Sequence, residues 1–210
     1  MRQSAVRILE RLLLGRGIDP AALSCLDVGG TRKVWLELSP DRPPGRVRTA
    51  ILRRLGAVFT RVRRPYKVTE NPLVGRIPGI RFLDSGFNAE AIGTDADIAV
   101  DFLDETAVAP FEGKFDLVIS FDTLEHVRDP RRFCRHLVRT VRPGGHVYVA
   151  TVFAWPYHPS PEDYFRFSPE GLRACCEGVG AELLECGWDE EGVSVYAWLR
   201  REGVPGGDRG

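Results

Sequence analysis

Residues 115–153 read FDLVISFDTLEHVRDPRRFCRHLVRTVRPGGHVYVATVF, and this stretch decides the fold. Its first seven residues, Phe115–Phe121, are a near-continuous apolar run, the pattern of a strand buried on both faces. Asp129-Pro130 then supplies a side-chain cap and a first-turn proline, which start a helix. Phe133, Leu137, Val138 and Val141 fall on the inward face of that helix. Arg142-Pro143-Gly144-Gly145 ends it and turns the chain into a second apolar strand, His146–Phe153. Strand, helix, strand in this order is the unit of a parallel sheet covered by helices.

Toward the C-terminus, Ser168-Pro169-Glu170 caps another helix, with Leu172, Cys175, Cys176 and Val179 inward. Two more strands follow, Leu183–Trp188 and Val193–Leu199, joined by the turn Asp189–Gly192. A parallel crossover needs about a dozen residues or more, so this pair is an antiparallel hairpin. A sheet that ends this way is not the wholly parallel dinucleotide-binding arrangement.

Toward the N-terminus, Asp97–Val100 reads as a strand ending at Asp101, and Ile80–Leu83 as one ending at Asp84. Leu23–Val28 is the first strand, followed by the turn in CLDVGGTR (residues 25–32). Ahead of it, Val6, Ile8, Leu9, Leu12 and Leu13 recur at helical spacing until Gly15 and Gly17 stop the pattern. Between the first two strands, Val34–Leu38 begins a helix or forms a short strand, and Pro40, Pro43, Pro44 and Gly45 break it. Val47, Ile51, Leu55, Val58 and Val62 predict an amphipathic helix, and a loop with Pro65, Pro72 and Pro78 follows. The expected architecture is α/β: a doubly wound, mostly parallel sheet with a C-terminal antiparallel hairpin. Residues 1–200 form one domain with a basic helical insertion at about 40–79, and 201–210 read as a flexible tail.

Composition narrows the class. Of 210 residues, 43% are apolar and 28% charged, the balance of a soluble globular protein, and the formal net charge is zero. A neutral chain exerts no global pull on nucleic acid or anionic membrane. One local block is basic: Arg42, Arg46, Arg48, Arg53, Arg54, Arg61, Arg63, Arg64 and Lys67 stand with Asp41 as the single acid. It reads as a solvated helix face or as a patch for phosphate or anionic lipid. Five cysteines, an odd number without CxxC spacing, argue for free thiols in a reducing compartment. With no apolar signal core, a cytoplasmic location is expected.

The strand, the LEHV turn, the helix, the PGG turn and the next strand over 115–153, with the closing hairpin, resemble the class I S-adenosylmethionine-dependent methyltransferases. Their seven-stranded sheet ends in such a hairpin. YHPSPEDYFRFSPEGL (157–172) resembles a loop of one subgroup acting on small molecules and glycans. The resemblance covers about 80–200 well and is weak over 31–79.

That resemblance implies S-adenosylmethionine as cofactor and assigns residues to it. Asp27 faces its amino-acid moiety, and Gly29 and Gly30 let the backbone approach. The family's acid-x-Gly-x-Gly-x-Gly pattern is imperfect, because Thr31 and Lys33 replace its second and third glycines. Asp84 holds the ribose hydroxyls, with two acceptor oxygens suited to the task. It comes later than the usual spacing of about 20 residues, and Glu37 is its rival if Val34–Leu38 is the second strand. Asp101 accepts from the adenine amino group, with Asp104 as a substitute, and Phe102 lies against the ring. Ser120 and Phe121 border the ribose and sulfonium, or are plain core.

Asp122, Glu125 and His126 stand at i, i+3 and i+4, one face of a helix. Some quinone-pathway methyltransferases bind a metal with a similar acid-x-x-Glu-His cluster. The commoner state of LEHV in the family is metal-free, and no metal is expected here. His126 or His158 serves as a base for a hydroxyl acceptor. Asp163, Tyr164 and Arg166 bind that acceptor, or Arg166 pairs with Asp163 or Glu162 in a structural loop. Methyl transfer to a small molecule or glycan, at oxygen, is the expected function. A lapsed methyltransferase-like scaffold is the alternative. A nucleic-acid acceptor is disfavoured, since FDTL stands where base-methylating enzymes often carry an Asn-Pro-Pro-aromatic run.

Overall fold

Burial on both faces places Phe115–Phe121 at the centre of a sheet, and the rest of the chain is laid out from it. The structure is a computed structural model describing residues 3–30, 33–37, 66–71, 73–84, 96–159 and 162–203. In chain order the strands are β1 (Cys25–Val28), β2 (Lys33–Glu37), β3 (Tyr66–Glu70), β4 (Ile80–Asp84) and β5 (Ile98–Ala99). They continue as β6 (Phe115–Phe121), β7 (Val141–Val152), β8 (Ala181–Trp188) and β9 (Ser194–Arg201). The helices are α1 (Gln3–Leu14), α2 (Glu105–Val108), α3 (Pro130–Thr140) and α4 (Pro169–Cys176).

Seven strands form one sheet in the order β5-β4-β1-β6-β7-β9-β8. Pairing is parallel from β5 through β7, and β9 runs antiparallel to both β7 and β8. The short connection after Trp188 enforces that reversal, as expected. The chain starts at β1, winds outward to β4 and β5, then returns to β6 on the other side of β1. The carboxyl ends of β1 and β6 are therefore the topological switch point, where open α/β sheets bind ligands.

Each face of the sheet is closed by helices. α3 and α4 bury Phe133, Leu137, Leu172 and Cys176 against Leu26, Val28 and Val118. Side chains of the Phe or Leu class contribute about 1.5–3 kcal/mol each when fully buried. Asp129 and Ser168 cap these helices through Arg132 N and Gly171 N, and a proline fills the first turn of each. On the other face, α1 buries Val6, Ile8, Leu9, Leu12 and Leu13 against Cys25, Phe82, Leu117 and Tyr148. Tyr148 Oη donates to the Ala5 carbonyl at 2.9 Å.

Four expectations change. Lys33–Glu37 is a strand, but it pairs antiparallel with β3 in a separate two-stranded ribbon. β3 itself lies where a loop was expected. Arg142–Gly145 belongs to β7 as a bulge, since Phe115↔Val141 is followed by Leu117↔His146. The expected tail begins in order: Arg201 ends β9, and its guanidinium donates to the Arg139 and Val141 carbonyls. The basic helix over 47–62 lies outside the described residues, as do 204–210. Among the described residues, no helix is long and apolar enough to cross a membrane.

Candidate active site

β1 ends in Val28 and the chain turns at once through Gly29 and Gly30. Gly29 has φ +86°, and its N–H donates to the Leu83 carbonyl at 2.8 Å, tying the turn to β4. A Cβ at Gly29 would lie 2.2 Å from Thr123 Oγ1, so the loops after β1 and β6 touch there. A Cβ at Gly30 would lie 2.1 Å from Asp27 Oδ2. The two glycines thus do different things: one permits a left-handed turn against the next loop, and the other leaves room for the acid.

That acid is wholly enclosed. Asp27 is 1% exposed, and its Oδ1 has no hydrogen-bond partner among the described residues. Burial pushes its carboxyl up to about 7. A buried unpaired carboxyl oxygen costs roughly 1–3 kcal/mol or more, and persists where a ligand or a proton compensates. Together, the glycine pair and the orphaned Asp27 oxygen fit a ligand that brings a cationic group to this loop.

The loop after β6 carries the second half of the site. Asp122 stands in the left-handed region (φ 46°), a conformation found in a few per cent of non-glycine residues and often near functional sites. Leu124–His126 is a single 3-10 turn. This corrects the expected helical face of Asp122, Glu125 and His126. The side chains that converge instead are Glu125, His126 and His158, with one ligand atom from each within 4.8 Å of the others.

Glu125 is completely buried. Its Oε2 accepts from Thr151 Oγ1 at 2.7 Å, while Oε1 has no hydrogen-bond partner among the described residues. His126 Nε2 is 3.8 Å and His158 Nε2 3.6 Å from that oxygen. The two imidazoles meet edge to face at 4.8 Å. The Glu125 carboxylate facing its Nε2 raises the His158 pKa above its ordinary value.

His158 is held by its own loop. Asp163 Oδ2 accepts from the His158 backbone N–H at 2.8 Å. Arg166 grips both Asp163 oxygens and donates to the Trp155 and Pro156 carbonyls. The same guanidinium depresses the Asp163 carboxyl to about 2. Asp163 and Arg166 therefore form a clamp within the loop, the structural alternative to acceptor binding. Tyr164 and Phe165 hang the loop on the Glu125 carbonyl by their N–H groups, at 2.8 and 3.2 Å, and leave both rings accessible.

Other expected cofactor contacts are placed differently. Phe102 is fully buried, edge to face with Phe133 at 5.2 Å, so its ring belongs to the core and has no face for adenine. Ser120 donates to the Val28 carbonyl at 2.9 Å and pins β6 to β1. Phe121 packs on Tyr148 at 5.4 Å in the core. Asp101 accepts from Leu103 N in an exposed turn at the end of β5, and Asp104 caps α2 through Thr106. Asp84 ends β4, beside β1, while Glu37 lies in the separate ribbon and loses its claim to the second-strand position. Thr151 and Thr123 were missed. A hydroxyl inside the apolar run VYVATVF is the signal that marks Thr151.

A family model described as a methyltransferase domain matches residues 1–186. The norajmaline N-methyltransferase of Rauvolfia serpentina is 26% identical over 96 residues, 46% of this chain and 33% of that protein. A ubiquinone biosynthesis O-methyltransferase of Escherichia coli is 35% identical over 122 residues, 52% of this chain and 50% of that protein. The chain thus matches half or less of the length of these curated relatives. Among solved structures, the trans-methyltransferase CalH in complex with S-adenosylhomocysteine aligns with TM-score 0.54 at 16% identity, covering 94% of this chain and 55% of that one.

Proposed function

Because the chain belongs to the methyltransferase-domain family, we propose that it methylates a hydroxyl oxygen of a small-molecule or glycan acceptor, using S-adenosylmethionine. When bound, the cofactor supplies a methyl group already activated on a sulfonium. The protein's own work is then to bind, align and take up a proton.

Gly29 and Gly30 bring bare backbone to the switch point, and Asp27 offers the orphaned carboxylate oxygen to a cationic amino group there. On this reading Asp84, at the end of the neighbouring strand, is the residue that holds the ribose hydroxyls. The exposed aromatic rings of Tyr157, Tyr164 and Phe165 give the acceptor an apolar surface on the loop that carries His158.

One observation carries the reaction class. His158 Nε2 and His126 Nε2 both face the unpartnered Glu125 oxygen, on loops that flank the carboxyl ends of β6 and β7. His158, one third exposed, takes the acceptor's proton at Nε2 as its oxygen attacks, and the buried Glu125 carboxylate stabilises the imidazolium formed. The Thr151 hydroxyl keeps that carboxylate in place.

Calorimetric titration with S-adenosylhomocysteine tests the reading. Saturable binding in the micromolar range, lost in Gly30→Ala, is the expected result. A folded sample that gives no heat at high micromolar ligand overturns it in favour of a scaffold without turnover.

A further inference from the structure

The neighbours of His158 decide where its protons sit. Its Nδ1 lies 2.9 Å from the Pro156 carbonyl, 3.3 Å from Asp163 Oδ2 and 3.4 Å from Arg166 Nη2. Two of these groups only accept, and the third has nothing left to give. Arg166 Nη2 carries two hydrogens, and shorter bonds to Asp163 Oδ2 at 2.6 Å and the Pro156 carbonyl at 3.0 Å take both. Nδ1 is therefore the donor, to the Pro156 carbonyl, with the Asp163 carboxylate beside it. The neutral ring then has its lone pair on Nε2, which faces Glu125 Oε1 at 3.6 Å.

We propose that Asp163 is a positioning residue for the proton transfer. Its carboxylate holds the His158 proton on Nδ1, which leaves Nε2 to take the acceptor's proton, and it shares the resulting positive charge with Glu125. The inference rests on the methyltransferase reading above. In that step the acceptor's O–H bond breaks, its electron pair stays on the oxygen, and the proton moves to Nε2, turning the neutral imidazole into an imidazolium. With both rings neutral, the Glu125 and Asp163 carboxylates outnumber the Arg166 guanidinium by one charge. A proton on His158 brings the group into balance. The Asp163 side chain is fully buried, where a charge acts on its neighbour with less screening than in water. The Glu125 carboxylate first, then the Pro156 carbonyl and Asp163, raise the His158 pKa against desolvation. His126 is placed otherwise: its Nδ1 meets the Glu162 carbonyl, and its ring is buried edge to face with His158. His158, one third exposed, is the ring with a carboxylate on either side.

The test is a pH titration of the full chain by NMR, following imidazole nitrogens and carboxyl carbons. In the wild type, His158 should carry its neutral-state proton on Nδ1 and titrate above about 6.5. The Asp163 carboxyl carbon should shift with the same midpoint, although Asp163, depressed to about 2, stays ionised throughout. A neutral-state proton on Nε2, or an Asp163 carbon that ignores the His158 titration, overturns the proposal. Asp163→Asn should weaken proton binding by His158 about tenfold, because an opposite charge close to the ring is removed. The Arg166 charge left unbalanced acts in the same direction. Hydrogen exchange at the Tyr164 and Phe165 amides, which bond the Glu125 carbonyl, reports whether the variant's loop stays docked. A docked loop with an unchanged His158 midpoint overturns the proposal; if the loop undocks, the wild-type Asp163 carbon decides. S-adenosylhomocysteine binding with the wrong tautomer overturns the role of Asp163 and leaves methyl transfer standing with another base. The expected tautomer in a folded protein that binds no S-adenosylhomocysteine overturns the methyltransferase reading instead, and this role with it.

Discussion

Gly30 makes room for Asp27: a Cβ on the glycine would stand 2.1 Å from the acid's Oδ2. The contact is with a buried, short side chain on a central strand, which cannot swing away. Gly30→Ala should therefore displace the carboxylate or the turn, at a cost of about 1–3 kcal/mol for an overpacked interior. The melting temperature should fall by several degrees, and S-adenosylhomocysteine affinity by more than tenfold. An alanine variant with unchanged melting and unchanged affinity would show that the acid and the turn are not coupled.

Asp27 should also give the ligand-free protein a pH-dependent stability of unusual sign. Burial raises its carboxyl to about 7, so the folded state holds a proton that the unfolded chain, at about 3.9, has released. The group's contribution is fully present below about 4, declines as pH rises, and is gone above about 7. The slope in that window is at most about 1.4 kcal/mol per pH unit. Denaturant melts at intervals from pH 4 to 8 check it, with Asp27→Asn expected to flatten this component. An unchanged slope in the variant would assign it to other groups. A cationic ligand group favours the ionised form, so S-adenosylhomocysteine should bind more tightly as pH rises through about 7.

Thr151 is the support that fixes Glu125, through a 2.7 Å hydrogen bond in a fully buried setting. Thr151→Val keeps the shape of the side chain and removes the donor. It leaves the carboxylate with neither oxygen satisfied, which should cost about 1–3 kcal/mol. Thr151→Ser should recover most of this. Thermal melts of the three proteins decide the matter, and a serine variant no better than valine would mean that the methyl packing, not the hydroxyl, matters.

The sheet was legible because its signals are local. FDLVISF marks β6 at both ends, Asp129-Pro130 and Ser168-Pro169 start α3 and α4, and the short turn after Trp188 dictates the reversal of β9. The ribbon was not, because KVWLE and YKVTE are far apart in the chain and neither announces its partner. The site was half legible for the same reason. Glu125 and His126 sit in a motif, but their mutual geometry depends on a 3-10 turn that helical spacing cannot foresee. His158 joins them only because Tyr164 and Phe165 hang a distant loop on the Glu125 carbonyl. Phe102 failed as a ring-stacking residue because an aromatic after a strand end serves equally well as core, and here Phe133 claims it.

The clamp between Asp163 and Arg166 should decide whether His158 stays at the site. Arg166 bonds both carboxylate oxygens and three backbone carbonyls, a planar fork that lysine cannot reproduce. Asp163 in turn fixes the His158 N–H. Arg166→Lys should loosen the segment 155–166 without disturbing the sheet. By hydrogen exchange, the His158 amide should then lose protection by about tenfold or more, while amides of β6 and β7 keep theirs. Acid should loosen the wild-type loop in the same way. The carboxyl is depressed to about 2, so the clamp's contribution is present above about 4 and is lost as pH falls through about 2. Uniform loss of protection across the sheet in Arg166→Lys would mean that the clamp holds the whole fold, and that His158 owes its position to something else.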